Sequence, residues 1–146
     1  MTDREFWEWY QDPITDIYYE DLSLTGLFAR FEIFPGRNKE NIQGALDFAY
    51  RLVKCSLAKF DVLPEDDHPY LIIDKLSKNI PVDSKGLGVW ETYQFYLIEK
   101  GMALVEECNL KEETEEVSPL FKAKLTAMFE EHGVGFDKKA FVPIQY

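Results

Sequence analysis

Histidine and cysteine are scarce in this chain, two of each in 146 residues, and their scarcity removes whole classes of chemistry. His68 and His132 do not form a pair at metal-ligand spacing, so an ordinary zinc or non-haem iron centre is not expected, and no metal or cofactor is assigned. Cys55 and Cys108 read as buried or half-buried thiols, because a domain of this length closes a core without a disulfide staple. Glycine is also sparse. Gly86, Leu87 and Gly88 give a close glycine pair, which lacks the third glycine and the preceding strand of a phosphate cradle. No glycine-x-serine-x-glycine elbow is present, which leaves no serine nucleophile to name.

Long apolar runs are missing too: none approaches the roughly 18–20 residues that cross a bilayer. Residues 1–10 carry Asp3, Glu5 and Glu8 and do not read as a signal or transit peptide, so a cytoplasmic location is expected. Basic residues are outnumbered, 16 against 27 acids, for a net charge of -11. That balance repels phosphate backbones and anionic membranes, so neither direct nucleic-acid binding nor membrane association is expected.

What the chain does have is apolar mass. Hydrophobic residues make up 46% and aromatics 15%, enough for one folded domain spanning residues 1–146. The spacing predicts a mainly α, single compact domain with a small β component; the alternative is α+β with a hairpin at 89–108. Thr2 and Glu5 form a capping-box pattern before Phe6, Trp9 and Tyr10, a run that Asp12 and Pro13 are expected to stop. Residues 14–25 show no clean period and read as irregular structure with possible helical turns. Residues 27–34 alternate as a strand that Pro35 and Gly36 end.

The clearest helix runs over 39–60, with Ile42, Ala45, Leu46, Ala49, Leu52, Val53, Leu57 and Phe60 on one face. Asn38 is its cap, and Asp47 and Arg51 fall four apart on its wet face. Pro69 opens a shorter helix that buries Ile72, Ile73 and Leu76, with a strand over 70–73 as its rival. Residues 89–108 favour a helix by spacing (Trp90, Tyr93, Leu97, Gly101, Leu104, Cys108) but are rich in strand formers. Ser118 and Pro119 start a last helix with Phe121, Leu125, Met128 and Phe129 inward and Gly133 at its end. Residues 136–146 read as an extended packed segment.

Charge and aromatic residues are unevenly distributed. Residues 1–24 hold seven acids against Arg4, and residues 106–116 hold six glutamates against Lys111. Residues 30–59 hold six bases against three acids, and pairing of this middle with the acidic ends is one way the charges could be used. The N-terminal acids are interleaved with more aromatics than one short helix can bury. Trp7, Tyr10, Tyr18 and Tyr19, flanked by Asp12, Asp16, Glu20 and Asp21, are therefore the candidate partner-binding residues: rings as desolvated anchors, acids for steering. The expected function is an acidic binding or inhibitor protein that neutralises a basic protein, most concretely a bacterial immunity protein blocking a nuclease toxin. The alternatives are a small enzyme with a carboxylate and tyrosine site around residues 90–96, and a structural or regulatory subunit of an oligomer. Two weaker patterns are the acidic cluster Glu65, Asp66, Asp67 with His68, which reads as a solvated loop, and Asp83 with Lys85, a short nuclease-like match.

Overall fold

Proline decides the first element. The computed structural model describes residues 1–20, 22–24, 39–61, 68–79, 81 and 83–146. Helix α1 (Asp3–Phe6) starts with the expected capping box, Thr2 and Glu5 bonding each other's backbone N–H. The helix does not stop at Asp12 and Pro13. It widens into a π-helical segment, Trp7–Gln11, in which the Asp12 N–H reaches the Trp7 carbonyl, and continues as α2 (Asp12–Tyr19). Pro13 has no N–H to donate, and a π register absorbs one missing bond without ending the helix. Ile14 and Ile17 are thereby carried into the core, where periodicity alone had suggested irregular chain.

Strand β1 (Leu22–Ser23) is short, and the strand expected over 27–34, with the cap at Asn38, lies outside the described residues. Helix α3 (Lys39–Lys54) is the spine of the core, burying Ile42, Ala45, Leu46, Phe48, Ala49 and Leu52. It ends six residues earlier than its apolar spacing suggests. Ser56 turns into the left-handed region, with φ of 57°, and the Leu57 N–H bonds the Leu52 carbonyl. This Schellman closure reverses the chain into β2 (Ala58–Asp61), where Ala58 and Phe60 point in and Lys59 and Asp61 out.

Helix α4 (Pro69–Ser77) buries Ile72, Ile73 and Leu76 as expected and packs on α3. Residues 89–108 are neither one helix nor a hairpin. They are divided among α5 (Ser84–Thr92), β3 (Gln94–Leu97) and α6 (Glu99–Glu107). The strand formers Phe95 and Leu97 occupy the centre of an antiparallel sheet of order β1-β3-β2, with Phe95 opposite both Leu22 and Phe60. Gly101 is required by the close approach that follows: a Cβ there would lie 2.3 Å from the Leu57 carbonyl oxygen. Helix α7 (Pro119–Glu131) is capped by Ser118 and buries Phe121, Leu125 and Phe129; Met128 is half-buried. Gly133, with φ of 74°, closes it.

The described chain is mainly α with a small β component, built around one continuous core that includes Trp90, Phe6, Phe48, Phe95, Phe121 and Phe129. Each such side chain contributes on the order of 2 kcal/mol through burial.

The wet face assigned to α3 is not wet. Asp47 and Arg51 are 4% and 5% exposed, because residues 134–146 lie along that face. Lys39, Gln43, Asp47 and Arg51, spaced four apart, form a polar rail for this extended segment. Arg51 donates to the carbonyls of Val134 (2.8 Å), Gly135 (3.2 Å) and Lys138. Asp47 accepts from the N–H groups of Ala140 (2.9 Å) and Phe141 (3.2 Å). Gln43 bonds Val142 and Ile144, and Lys39 reaches the Tyr146 main-chain oxygen at 2.8 Å. A buried charge is tolerated when its bonding capacity is filled this way.

Candidate functional site

The N-terminal aromatics separate into three groups once folded. Tyr10 is buried, 2% exposed, and its hydroxyl accepts a hydrogen bond from Arg51 at 2.7 Å. Burial pushes its phenol up to about 12, with Arg51 opposing that rise. Tyr10 is therefore a core residue and is corrected out of the exposed contact set. Helical spacing placed it beside Phe6, which stacks on it at 6.2 Å, and the same spacing marks it as core rather than surface.

Trp7 is half-buried, with Arg4 over its ring at 4.8 Å. Its indole N–H donates to the Thr114 carbonyl at 2.8 Å. One turn on, Gln11 donates to the Glu116 carbonyl at 3.0 Å and accepts from the Ser118 N–H at 2.7 Å. These bonds fix the acidic loop between α6 and α7 alongside the N-terminal helix. The side chain of Trp7 serves as a brace for that loop, leaving only part of its ring outward.

At the end of α2, Tyr18 and Tyr19 meet edge-to-face with centroids 4.9 Å apart. The Tyr18 hydroxyl donates to the Glu106 carboxylate at 3.1 Å, and that bond to an anion raises the Tyr18 phenol above its usual range. Tyr19 is 49% exposed, and Glu20 is exposed beside it. Asp12 and Asp16 are half-buried on α2 and take part in interactions there. Asp21 lies outside the described residues. Tyr18, Tyr19, Glu106, Asn109 and Lys111 line a small concavity of about 180 Å³.

The two acidic blocks, far apart in sequence, thus share one surface. Glu106, Glu112, Glu113, Glu115 and Glu116 are all exposed along it. Two of the middle segment's six bases, Arg30 and Arg37, lie outside the described residues, and Asp12 and Asp16 have partners of their own. Between described residues the ion pairs are Arg4–Glu8, Lys78–Asp74, Lys122–Asp3 and Lys124–Glu107, of which the last touches the second acidic block. The acidic segment missing from the candidate set is 106–116; its glutamate density was visible in the sequence, but its adjacency to Tyr18 was not.

The remaining chemistry-bearing residues have structural partners. Cys55 is buried, and burial pushes its thiol up to about 11 despite the cations Lys100 and Lys54, far from the thiolate a nucleophile needs. His68 caps α4, accepting from the Tyr70 N–H at 3.3 Å, and His132 bonds the Met128 carbonyl through Nδ1 at 2.9 Å. Asp83 caps α5 through the Gly86 N–H at 2.6 Å, which occupies the acid of the nuclease-like match and places Gly86 and Gly88 inside a helix. Trp90 is fully buried with its indole on the Asn79 carbonyl, and Tyr93 accepts from Lys75 at 3.0 Å. Among the described residues no group of three or more His, Cys, Asp or Glu side chains is placed to hold a metal, and no helix is long and apolar enough to cross a membrane.

No protein-family model, curated protein or solved structure matches this chain.

Proposed function

We propose that this chain is an acidic binding protein that neutralises a basic protein partner, most concretely a bacterial immunity protein that blocks a nuclease toxin. The observation that carries the reading is the meeting of the two acidic blocks around Tyr18 and Tyr19, sealed by the Tyr18–Glu106 bond. A basic nuclease presents lysines and arginines where it grips phosphates. The exposed carboxylates of Glu20, at the end of α2, and of the 106–116 loop occupy the same groups and occlude the site, while the field of a chain carrying a net charge of -11 accelerates capture. Tyr19 supplies the desolvated anchor and Trp7 the rim; Asp12, Asp16, Glu20 and Asp21 supply the charge. The cytoplasm, where such a toxin would act, is the compartment this role requires.

The division of labour is testable by surface plasmon resonance at two ionic strengths, with the basic protein captured from lysate at low salt and identified by mass spectrometry. Tyr19→Ala is expected to raise the dissociation rate about tenfold or more, the loss of about 1.4 kcal/mol that an aromatic anchor carries. Glu20→Gln combined with Glu106→Gln is expected to slow association and flatten its salt dependence with little change in dissociation. Capture of no basic protein, or wild-type kinetics in both variants, overturns the reading.

A further inference from the structure

On the other side of the N-terminal helix, a cavity has the opposite electrical character to the chain's net charge. It holds about 440 Å³, within the roughly 300–1,000 Å³ range of small-molecule sites. Its lining includes the rings of Trp9, Tyr10 and Phe136 and four cations, Lys39, Arg51, Lys138 and Lys139, against two carboxylates, Glu40 and Asp47. Acids outnumber bases 27 to 16 in the whole chain, so the excess of cations at the cavity is a local reversal. Asp47 has its oxygens filled by Gln43, Ala140 and Phe141, which leaves it little capacity to repel or compete.

The cationic wall is held in place at a cost. Ala140 adopts φ of 56°, a left-handed conformation that a residue with a Cβ avoids. The buried Asp47 carboxylate holds it there by accepting from the Ala140 and Phe141 N–H groups, and buried Arg51 fixes the Lys138 carbonyl just before it. Strain of about 1–3 kcal/mol is retained where the surroundings over-determine it, and it clusters where a geometry is used. The geometry it sets here is that of Lys138 and Lys139 at the cavity. Lys139 is exposed and makes no hydrogen bond or ion pair with any described residue. Gly44 lets the Trp9 ring pack close against α3 at the cavity, since a Cβ at that position would lie 3.1 Å from Trp9 Cζ3.

We infer that this cavity binds a small anion carried on a planar ring, the ring packing against Trp9 and Phe136 and the anionic group meeting Lys139 with Lys138 or Lys39. Ring stacking and the attraction of exposed lysines are each weak alone and reinforce one another in one site. A phosphate and a carboxylate present the same chemistry to these lysines, so the source is left to the probe. The site shares no residue with the surface of Tyr18, Tyr19 and Glu106 and is independent of the reading given to that surface.

The test is an NMR titration of the full chain, following the Trp9 indole N–H, assigned with Trp9→Phe. The probes are adenosine 5′-monophosphate and 4-hydroxybenzoate; adenosine and inorganic phosphate serve as the ring and the anion alone. At least one ring anion is expected to give a saturable shift below millimolar concentration, and which one does identifies a phosphorylated or a carboxylate source. Lys139→Glu is expected to weaken that binding about tenfold or more while melting like wild type, since its side chain has no partner to lose. Gly44→Leu, which displaces the Trp9 ring from its seat on α3, is expected to abolish it. Neither ring anion saturating, inorganic phosphate binding as tightly as the ring anion, or Lys139→Glu binding like wild type overturns the site.

Discussion

Arg51 concentrates more of the fold's polar bonding than any other described side chain. Its guanidinium donates to three carbonyls and to the Tyr10 hydroxyl, and lies 5.1–5.9 Å from the rings of Phe141, Phe136 and Tyr10. Arginine suits this place because it is a planar fork that stacks on rings while satisfying several acceptors; a lysine ammonium cannot do both. Removing it orphans buried carbonyls and a buried phenol together. Arg51→Ala is therefore expected to lose about 3–5 kcal/mol in urea unfolding, and Arg51→Lys is expected to recover less than half of that. A loss below about 1 kcal/mol for Arg51→Ala would mean that residues 134–146 are held by their apolar side chains alone.

At the level of elements, three helices end the same way. Ser56, Asn109 and Gly133 each take a positive φ, and the next residues, Leu57, Leu110 and Val134, bond back to Leu52, Val105 and Phe129 and are buried. Only the third position uses the residue that adopts this conformation without penalty. Ser56→Gly and Asn109→Gly are each expected to be neutral or stabilising, by up to about 1 kcal/mol, with Asn109 gaining less because asparagine already tolerates the left-handed region. Thermal melts of the two single variants check this; a clear loss at both would show that the side chains do more than fill a turn. The same closures explain what was legible in the sequence. Ser118 with Pro119 and Gly133 bracket α7 with residues that favour helix ends, and both boundaries followed from spacing and caps. Ser56 carries no such mark, so the apolar period of α3 ran on through Leu57 and Phe60, which are buried for another reason, as turn and strand. Residues 89–108 misled for a related cause: helical spacing and strand propensity were both real, and the chain satisfies them in succession rather than choosing. Pro13 reads as a stop because a π register leaves no trace in composition.

The whole molecule is organised by charge as much as by its core. One side gathers the N-terminal acids and the 106–116 glutamates; the other turns Lys39, Gln43, Asp47 and Arg51 inward to hold residues 134–146. Composition gave the sign and the blocks, and three of the eight candidate residues, Tyr18, Tyr19 and Glu20, lie where acidic and aromatic groups meet. The rail on α3 was hidden because a polar face at helical spacing looks the same whether water or an extended segment covers it, whereas the place of Tyr10 in the core was readable from its spacing with Phe6. The loop between α6 and α7 gives the sharpest check on this division. It is held by main-chain groups, the carbonyls of Thr114 and Glu116 and the N–H of Ser118, and none of Glu112, Glu113 and Glu115 forms an ion pair with a described residue. Their carboxylates repel one another and the acids of α2. Replacing all three by glutamine moves the net charge from -11 to roughly -8 without touching a bond that fixes the loop. The triple variant is expected to stay within about 0.5 kcal/mol of wild type in moderate salt. At low ionic strength it is expected to melt slightly higher than wild type, and added salt, which screens repulsion beyond about 10 Å, should raise its midpoint less. A destabilisation of more than about 1 kcal/mol, or an unchanged salt response, would show these glutamates to be structural and remove them from the charge available to a partner.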